Sequence, residues 1–141
     1  MMHETREGFV CALLVGGCAE SRLLIQEVFR NAAWRLYQAH SRKQALVCLS
    51  RLPLQVVIAA DGLPDYPWKR VWHDVARLRR QPQLVVTSAA ADDSLWSEVL
   101  NWGGYDVLRE PLQRDEVARV IASACRHFTN GPGRAQVAAA S

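Results

Sequence analysis

The sequence has no apolar run close to the roughly 18 residues that a membrane-spanning helix needs. Its first seven residues carry acids and no apolar stretch, so they do not resemble a signal peptide. Half of the 141 residues are hydrophobic and 22% are charged, which excludes intrinsic disorder as a description of the whole chain. We therefore expect one globular domain in the cytoplasm, with no membrane contact.

Metal-binding and catalytic patterns are also missing. The four cysteines, Cys11, Cys18, Cys48 and Cys125, include no C-x-x-C pair, and the four histidines are scattered along the chain. The net charge of +3 is too small to indicate a nucleic-acid partner by itself. We expect no zinc or other metal site, no cofactor, no enzyme activity and no nucleic-acid binding.

Short apolar runs alternate with segments of helical periodicity. Phe9–Val15 is apolar on both faces, as is typical of a strand that is buried in a parallel sheet. Ser41 and Asp92 are placed to cap helices, and Gly103 fits a helix end. The predicted strands are 9–15, 34–39, 54–60, 83–88 and 105–108, and the predicted helices occupy 19–32, 42–52, 68–80, 93–102 and 115–128.

Five strands alternating with five helices predict an α/β fold with one doubly wound parallel sheet. With five such units, the flavodoxin-like strand order 2-1-3-4-5 is the leading topology. The domain is predicted over residues 9–128, after an N-terminal extension of residues 1–8. Residues 129–141 are predicted to form a disordered C-terminal tail.

Four ordered motifs resemble the receiver domain of bacterial two-component response regulators. They are Ala-Glu-Ser-Arg (19–22), Val-Val-Ile-Ala-Ala-Asp-Gly-Leu-Pro-Asp (56–65), Leu-Val-Val-Thr-Ser-Ala (84–89) and Trp-Gly-Gly-Tyr-Asp-Val-Leu-Arg-Glu-Pro (102–111). The resemblance covers roughly residues 9–128. It implies a flavodoxin-like domain in which an aspartate receives a phosphoryl group from a histidine kinase, with help from Mg²⁺, a hydroxyl residue and a lysine.

The charged residues of that chemistry are replaced in this sequence. By the resemblance, the two metal-binding acids fall on Gly16 and Gly17, and the phosphoacceptor falls on Ala60. The lysine falls on Glu110, and only the hydroxyl residue, Thr87, matches. The aromatic switch position of the last strand falls on Val107. We therefore expect a degenerate pocket without phosphoacceptor or metal site.

Two alternatives remain open at this stage. Asp61 follows the acceptor position by one residue and is an unconventional phosphoacceptor candidate, although neighbouring strand residues face opposite sides. The crevice at the carboxyl ends of the strands could instead bind an anion or small ligand, because Gly16-Gly17-Cys18 opens a helix.

The leading hypothesis is a single-domain pseudo-receiver that works by contact with a protein partner or as a homodimer. No recognisable output segment follows residue 128 in this sequence. By family analogy the contact face is expected at the fourth helix, last strand and fifth helix. Tryptophan and arginine are enriched at interface hot spots, so the candidate interface residues are Trp96, Trp102, Arg109, Arg114 and Arg119.

Overall fold

A computed structural model describes the backbone of residues 10–60 and 63–140, with side chains described as far as residue 128. The strands are β1 (Cys11–Val15), β2 (Arg35–Ala39), β3 (Val56–Ala60), β4 (Gln83–Ser88) and β5 (Asp106–Arg109). The helices are α1 (Ala19–Asn31), α2 (Arg42–Arg51), α3 (Trp68–Ala76), α4 (Asp93–Trp102) and α5 (Arg114–Ala140). The predicted alternation of strand and helix is confirmed.

All neighbouring strands of the sheet are parallel, in the order β2-β1-β3-β4-β5. This is the predicted flavodoxin-like topology. Because each helix returns the chain to the start of the next strand, strands end and helices begin at one edge of the sheet. We call this the carboxyl edge, and the opposite one, where strands begin and helices end, the amino edge.

The alternation of strand side chains divides the core into two layers. One layer packs under α1 and α5 and includes Leu14, Ile58 and Phe29. The other packs under α2, α3 and α4 and includes Leu13 and Val57. Each fully buried large aliphatic side chain contributes roughly 1.5–3 kcal/mol relative to exposure, so the doubly apolar strands hold both helical layers on the sheet.

A partly buried polar network joins α2 to α3. The Arg42 guanidinium donates to both carboxylate oxygens of Asp74, at 3.0 and 3.1 Å, and the Tyr66 hydroxyl donates to the same carboxylate at 2.7 Å. Burial alone would raise the pKa of Asp74, but the hydrogen bonds from Arg42 and Tyr66 outweigh it and the pKa is lowered. Burial and the bond to Asp74 raise the pKa of Tyr66.

Two helices end more than one residue away from the predicted position. Helix α3 ends at Ala76 rather than Arg80, because the N–H of Leu78 bonds to Val75 and turns the chain towards β4. The backbone of helix α5 continues to Ala140, past the predicted helix end at residue 128. The alanines near the end of this segment have the highest helix propensity, and the prediction gave too much weight to Gly131, Pro132 and Gly133.

The buried residues of the described chain run from Val10 to Phe128. The predicted N-terminal extension, residues 1–8, and Ser141 lie outside the described residues. Within the part of the chain that is described, no helix is both long enough and apolar enough to cross a membrane.

Candidate functional site

Two glycines form the turn that follows β1 at the carboxyl edge. Gly16 and Gly17 have φ angles of 76° and 101°, in the left-handed region that favours glycine. A Cβ placed on Gly17 would lie 3.4 Å from the Cβ of Ala60 and 3.3 Å from the Cγ of Arg22. The turn after β1 and the end of β3 therefore approach each other at Gly17 and the methyl group of Ala60.

Glu110 provides a carboxylate beside this turn. Its Oε2 accepts a hydrogen bond from the Thr87 hydroxyl at 3.2 Å and another from the Ser21 hydroxyl at 3.1 Å. Thr87 is fully buried at the end of β4, and Ser21 is buried in the first turn of α1. Glu110 thus links β4, α1 and the segment after β5.

Cys18 caps the N-terminus of α1 and continues the same network. Its sulfur lies 3.4 Å from the Ser21 hydroxyl oxygen and accepts the Ser21 N–H at 3.5 Å. The Cys18 side chain is exposed. The hydrogen bonds of Ser21, first from its side chain and then from its backbone, lower the pKa of the Cys18 thiol, although burial and the nearby Glu110 oppose this effect.

A cavity of about 490 Å³ opens beside these groups. Its lining includes the carboxylates of Glu20 and Glu110, together with Cys18, Ser21 and the apolar Leu24. Two glutamates and no cationic side chain line the cavity, so its charge disfavours an anion. Ser21 is not among the site residues predicted from the sequence. Its position three residues after Cys18, the N-cap of α1, is the signal that could have indicated a capping contact.

No protein-family model matches the chain, and no curated protein is similar to it. Solved structures do match. The signal receiver domain of a Vibrio parahaemolyticus protein described as a Luxo repressor has a TM-score of 0.77 at 17% identity, covering 85% of this chain and 92% of that one. The signal receiver domain of an HD domain-containing protein from Pseudomonas fluorescens Pf-5 has a TM-score of 0.75 at 20% identity, covering 86% and 98%. This chain has the receiver fold.

A third receiver structure, the chemotaxis response regulator CheY4 of Vibrio cholerae, matches with a TM-score of 0.71 at 14% identity over 82% of this chain and 98% of that one. At these identities the similarity shows the fold alone. The resemblance read from the four sequence motifs and the similarity of the structures therefore agree on the receiver fold, while the chemistry of the site depends on this chain's own residues.

The receiver resemblance implies a bound Mg²⁺ ion, but the residues at its ligand positions in this chain do not fit that ion. Mg²⁺ requires oxygen ligands in octahedral geometry, most often carboxylates and waters. Gly16, Gly17 and Ala60 have no side-chain oxygen, and the described residues contain no cluster of three His, Cys, Asp or Glu side chains that could hold a metal. Asp61, the alternative phosphoacceptor, lies outside the described residues.

The five candidate interface residues do not form one patch. Trp96 and Arg109 line a shared depression of about 370 Å³ that also includes Val107. Arg119 is exposed on α5.

The other two candidates point to neighbouring helices. The ring of Trp102, the last residue of α4, packs edge-on against the ring of Trp68 in α3, with 5.4 Å between centroids. Arg114 forms an ion pair with Glu27 of α1. Sequence spacing placed these residues on the right helices, but it did not determine the direction of their side chains.

Proposed function

We propose that this chain is a pseudo-receiver: a signalling module of the two-component type that acts by contact with another protein chain and accepts no phosphoryl group. The observation that supports this most directly is the Glu110 carboxylate bound to the Thr87 hydroxyl. In the receiver resemblance that hydroxyl binds the aspartyl-phosphate. Here it already has a negatively charged partner, which would repel a phosphoryl group at the same place.

The same carboxylate argues against the anion-binding alternative. An anion that reaches the start of α1 would meet Glu110 and Glu20 in the cavity lining. The favourable contribution of a helix N-terminus to a charge is about 0.3–1 kcal/mol at an exposed site, whereas two carboxylates within one pocket oppose it. Protein contact is therefore the function that we favour over small-ligand binding.

The contact surface that we propose is the α4–β5–α5 face, defined by the exposed parts of those three elements. Trp96 is 48% exposed there and borders the depression that also contains Arg109 and Glu116. A half-exposed tryptophan between charged groups of both signs is the composition of an interface hot spot with a polar rim. The partner is a second copy of the chain or another protein, in a cytoplasmic signalling system.

Replacement of Trp96 by Ala together with Arg119 by Glu tests this face. Loss of a hot-spot tryptophan costs more than about 1 kcal/mol of binding, so we expect association in sedimentation velocity to weaken by about ten-fold or more, with little change in Tm. The matched control, Leu46→Ala with Lys43→Glu on exposed positions of α2, should leave association unchanged. A protein that stays monomeric at high concentration, and retains the same partners after both substitutions, would contradict the proposed face.

A further inference from the structure

The amino edge of the sheet carries a concentration of arginines. All of them are exposed, and they lie at helix ends, at a strand start or in the α3–β4 connection. They are Arg30, Arg35, Arg51, Arg77, Arg79 and Arg80, and we call them the amino-edge arginine surface.

Few acids offset this charge. Among the described residues, Asp106 starts a strand at this edge, and its carboxylate accepts the N–H of Val107 at 2.8 Å. The acids in the last two turns of α1 and α3, Glu27 and Asp74, already pair with cations outside the surface. None of the three ion pairs found in the described part of the chain includes one of the six arginines.

The sheet geometry sets the spread of these arginines along the amino edge. In the strand order, β2 and β4 are separated by three interstrand spacings, or about 14 Å at about 4.8 Å each. The Debye length at physiological ionic strength is about 8 Å. The surface is therefore wider than one Debye length, and Arg30, at the end of α1, lies on the other face of the sheet from Arg51 and Arg77. Only an extended ligand could reach several of the guanidinium groups.

Helix stability explains only part of this arrangement. Arg30 and Arg51 lie in the last turns of α1 and α2, where cations interact favourably with the helix dipole. Arg35 begins a strand, and Arg79 and Arg80 lie beyond the end of α3 at Ala76. The dipole effect falls off within the last turn, so these three charges require another explanation.

Two of the guanidinium groups are held in place by aromatic neighbours. The Arg80 guanidinium lies over the Phe128 ring, 4.9 Å from its centroid, and Arg35 donates a hydrogen bond of 3.5 Å to the Tyr37 hydroxyl. An arginine that is already oriented loses less conformational freedom when its planar fork binds a carboxylate.

Half-buried apolar side chains are adjacent to these arginines in the sequence, and each also packs against the core: Trp34 against the layer under α1 and α5, and Leu52 and Leu78 against the other layer. Trp34 precedes Arg35, Leu52 follows Arg51, and Leu78 lies between Arg77 and Arg79. Arginine combined with aromatic and aliphatic side chains is typical of the core of a protein interface, whereas contacts with a phosphodiester backbone are mostly polar.

We propose that the amino-edge arginine surface binds an acidic segment of a partner protein, with carboxylates on the guanidinium groups and apolar side chains on Trp34, Leu52 and Leu78. This surface lies at the amino edge, apart from the Trp96 depression, and is a second contact site beyond the proposed function. The small net charge of +3 argues against non-specific attraction of long polyanions.

The test measures binding of a fluorescein-labelled peptide of alternating glutamate and leucine to the full chain by fluorescence anisotropy. The variant Arg79→Glu with Arg80→Glu should weaken binding by about ten-fold, because each surface charge pair changes affinity by a few-fold and each reversal also adds repulsion. The matched control, Lys43→Glu with Arg70→Glu, reverses two exposed cations near the starts of α2 and α3 and should change affinity by less than about two-fold.

Several results would overturn the proposal. They are absence of peptide binding, equal losses in the two variants, and binding of a DNA duplex of equal charge that is at least as tight and equally sensitive to Arg79→Glu with Arg80→Glu. Salt-sensitive self-association of the chain that this variant abolishes would assign the surface to a second copy instead. The peptide-binding test does not depend on Trp96. The proposed α4–β5–α5 contact face could therefore be refuted without refuting the amino-edge arginine surface, and the reverse also holds.

Discussion

Replacement of Glu110 by Ala should destabilise the protein by about 2 kcal/mol. The Thr87 hydroxyl is fully buried and donates to Glu110, so the substitution leaves it without that acceptor. The Ser21 hydroxyl also loses this acceptor, but the adjacent cavity of about 490 Å³ admits water to replace it. Most of the cost therefore comes from Thr87, and Tm should fall by about 6 °C, at a few degrees per kcal/mol for a domain of this size.

Thermal and urea unfolding followed by circular dichroism measure this effect. Glu20→Ala is the matched control, because Glu20 lines the same cavity and is exposed, and it should cost only about 0.5 kcal/mol through the helix dipole. A double-mutant cycle with Thr87→Val should give a coupling energy of about 1 kcal/mol. Zero coupling, with equal stabilities of the Glu110 and Glu20 variants, would refute the bond between Glu110 and Thr87 and the argument built on it.

Two further predictions concern groups with shifted pKa values. Because the folded pKa of Asp74 lies below its ordinary value of 3.8, its ionised form stabilises the protein above that pH, and this stability is lost as pH falls through the folded pKa. Asp74→Asn should therefore flatten the acid limb of the unfolding free energy against pH, and an unchanged limb would contradict the network with Tyr66. At neutral pH, iodoacetamide should modify the exposed Cys18 well before the buried Cys11, whose pKa is raised by burial, and Ser21→Ala should slow the Cys18 reaction. Peptide mass mapping gives both rates: equal rates for the two thiols would contradict the difference in their environments, and a Cys18 rate unchanged by Ser21→Ala would contradict the effect of the Ser21 hydrogen bonds.

The positions of the strands and helices could be predicted because they depend on signals that are local in the sequence, and the strand order followed from the alternation of five strands with five helices. Doubly apolar runs such as Val56–Ala60 form buried parallel strands, and caps such as Ser41 and Asp92 accept the expected backbone N–H bonds at their helix starts. The left-handed Gly103 at the end of α4 follows the same logic, with φ of 112°. The formation of these strands, helix caps and helix ends does not depend on contacts between residues that are distant in the sequence.

The side-chain arrangement of the site could not be predicted in the same way. The bond of Glu110 to Ser21 joins residues that are 89 positions apart, and no periodicity contains that information. The direction of Trp102 towards Trp68 depends likewise on how α3 and α4 pack together. The backbone of residues 129–140 differs from the prediction because helix propensity and the helix-breaking Gly-Pro-Gly pattern oppose each other within one short segment.

The most direct test of the central claim is the intact mass of the protein after incubation with acetyl phosphate and millimolar Mg²⁺, beside a receiver domain that retains its aspartate. We predict no added phosphoryl group on this chain, because Ala60 offers no nucleophile and the glycine turn offers no metal ligand. An acid-labile phosphoryl adduct that disappears in Asp61→Asn would contradict this account and identify an unconventional phosphoacceptor.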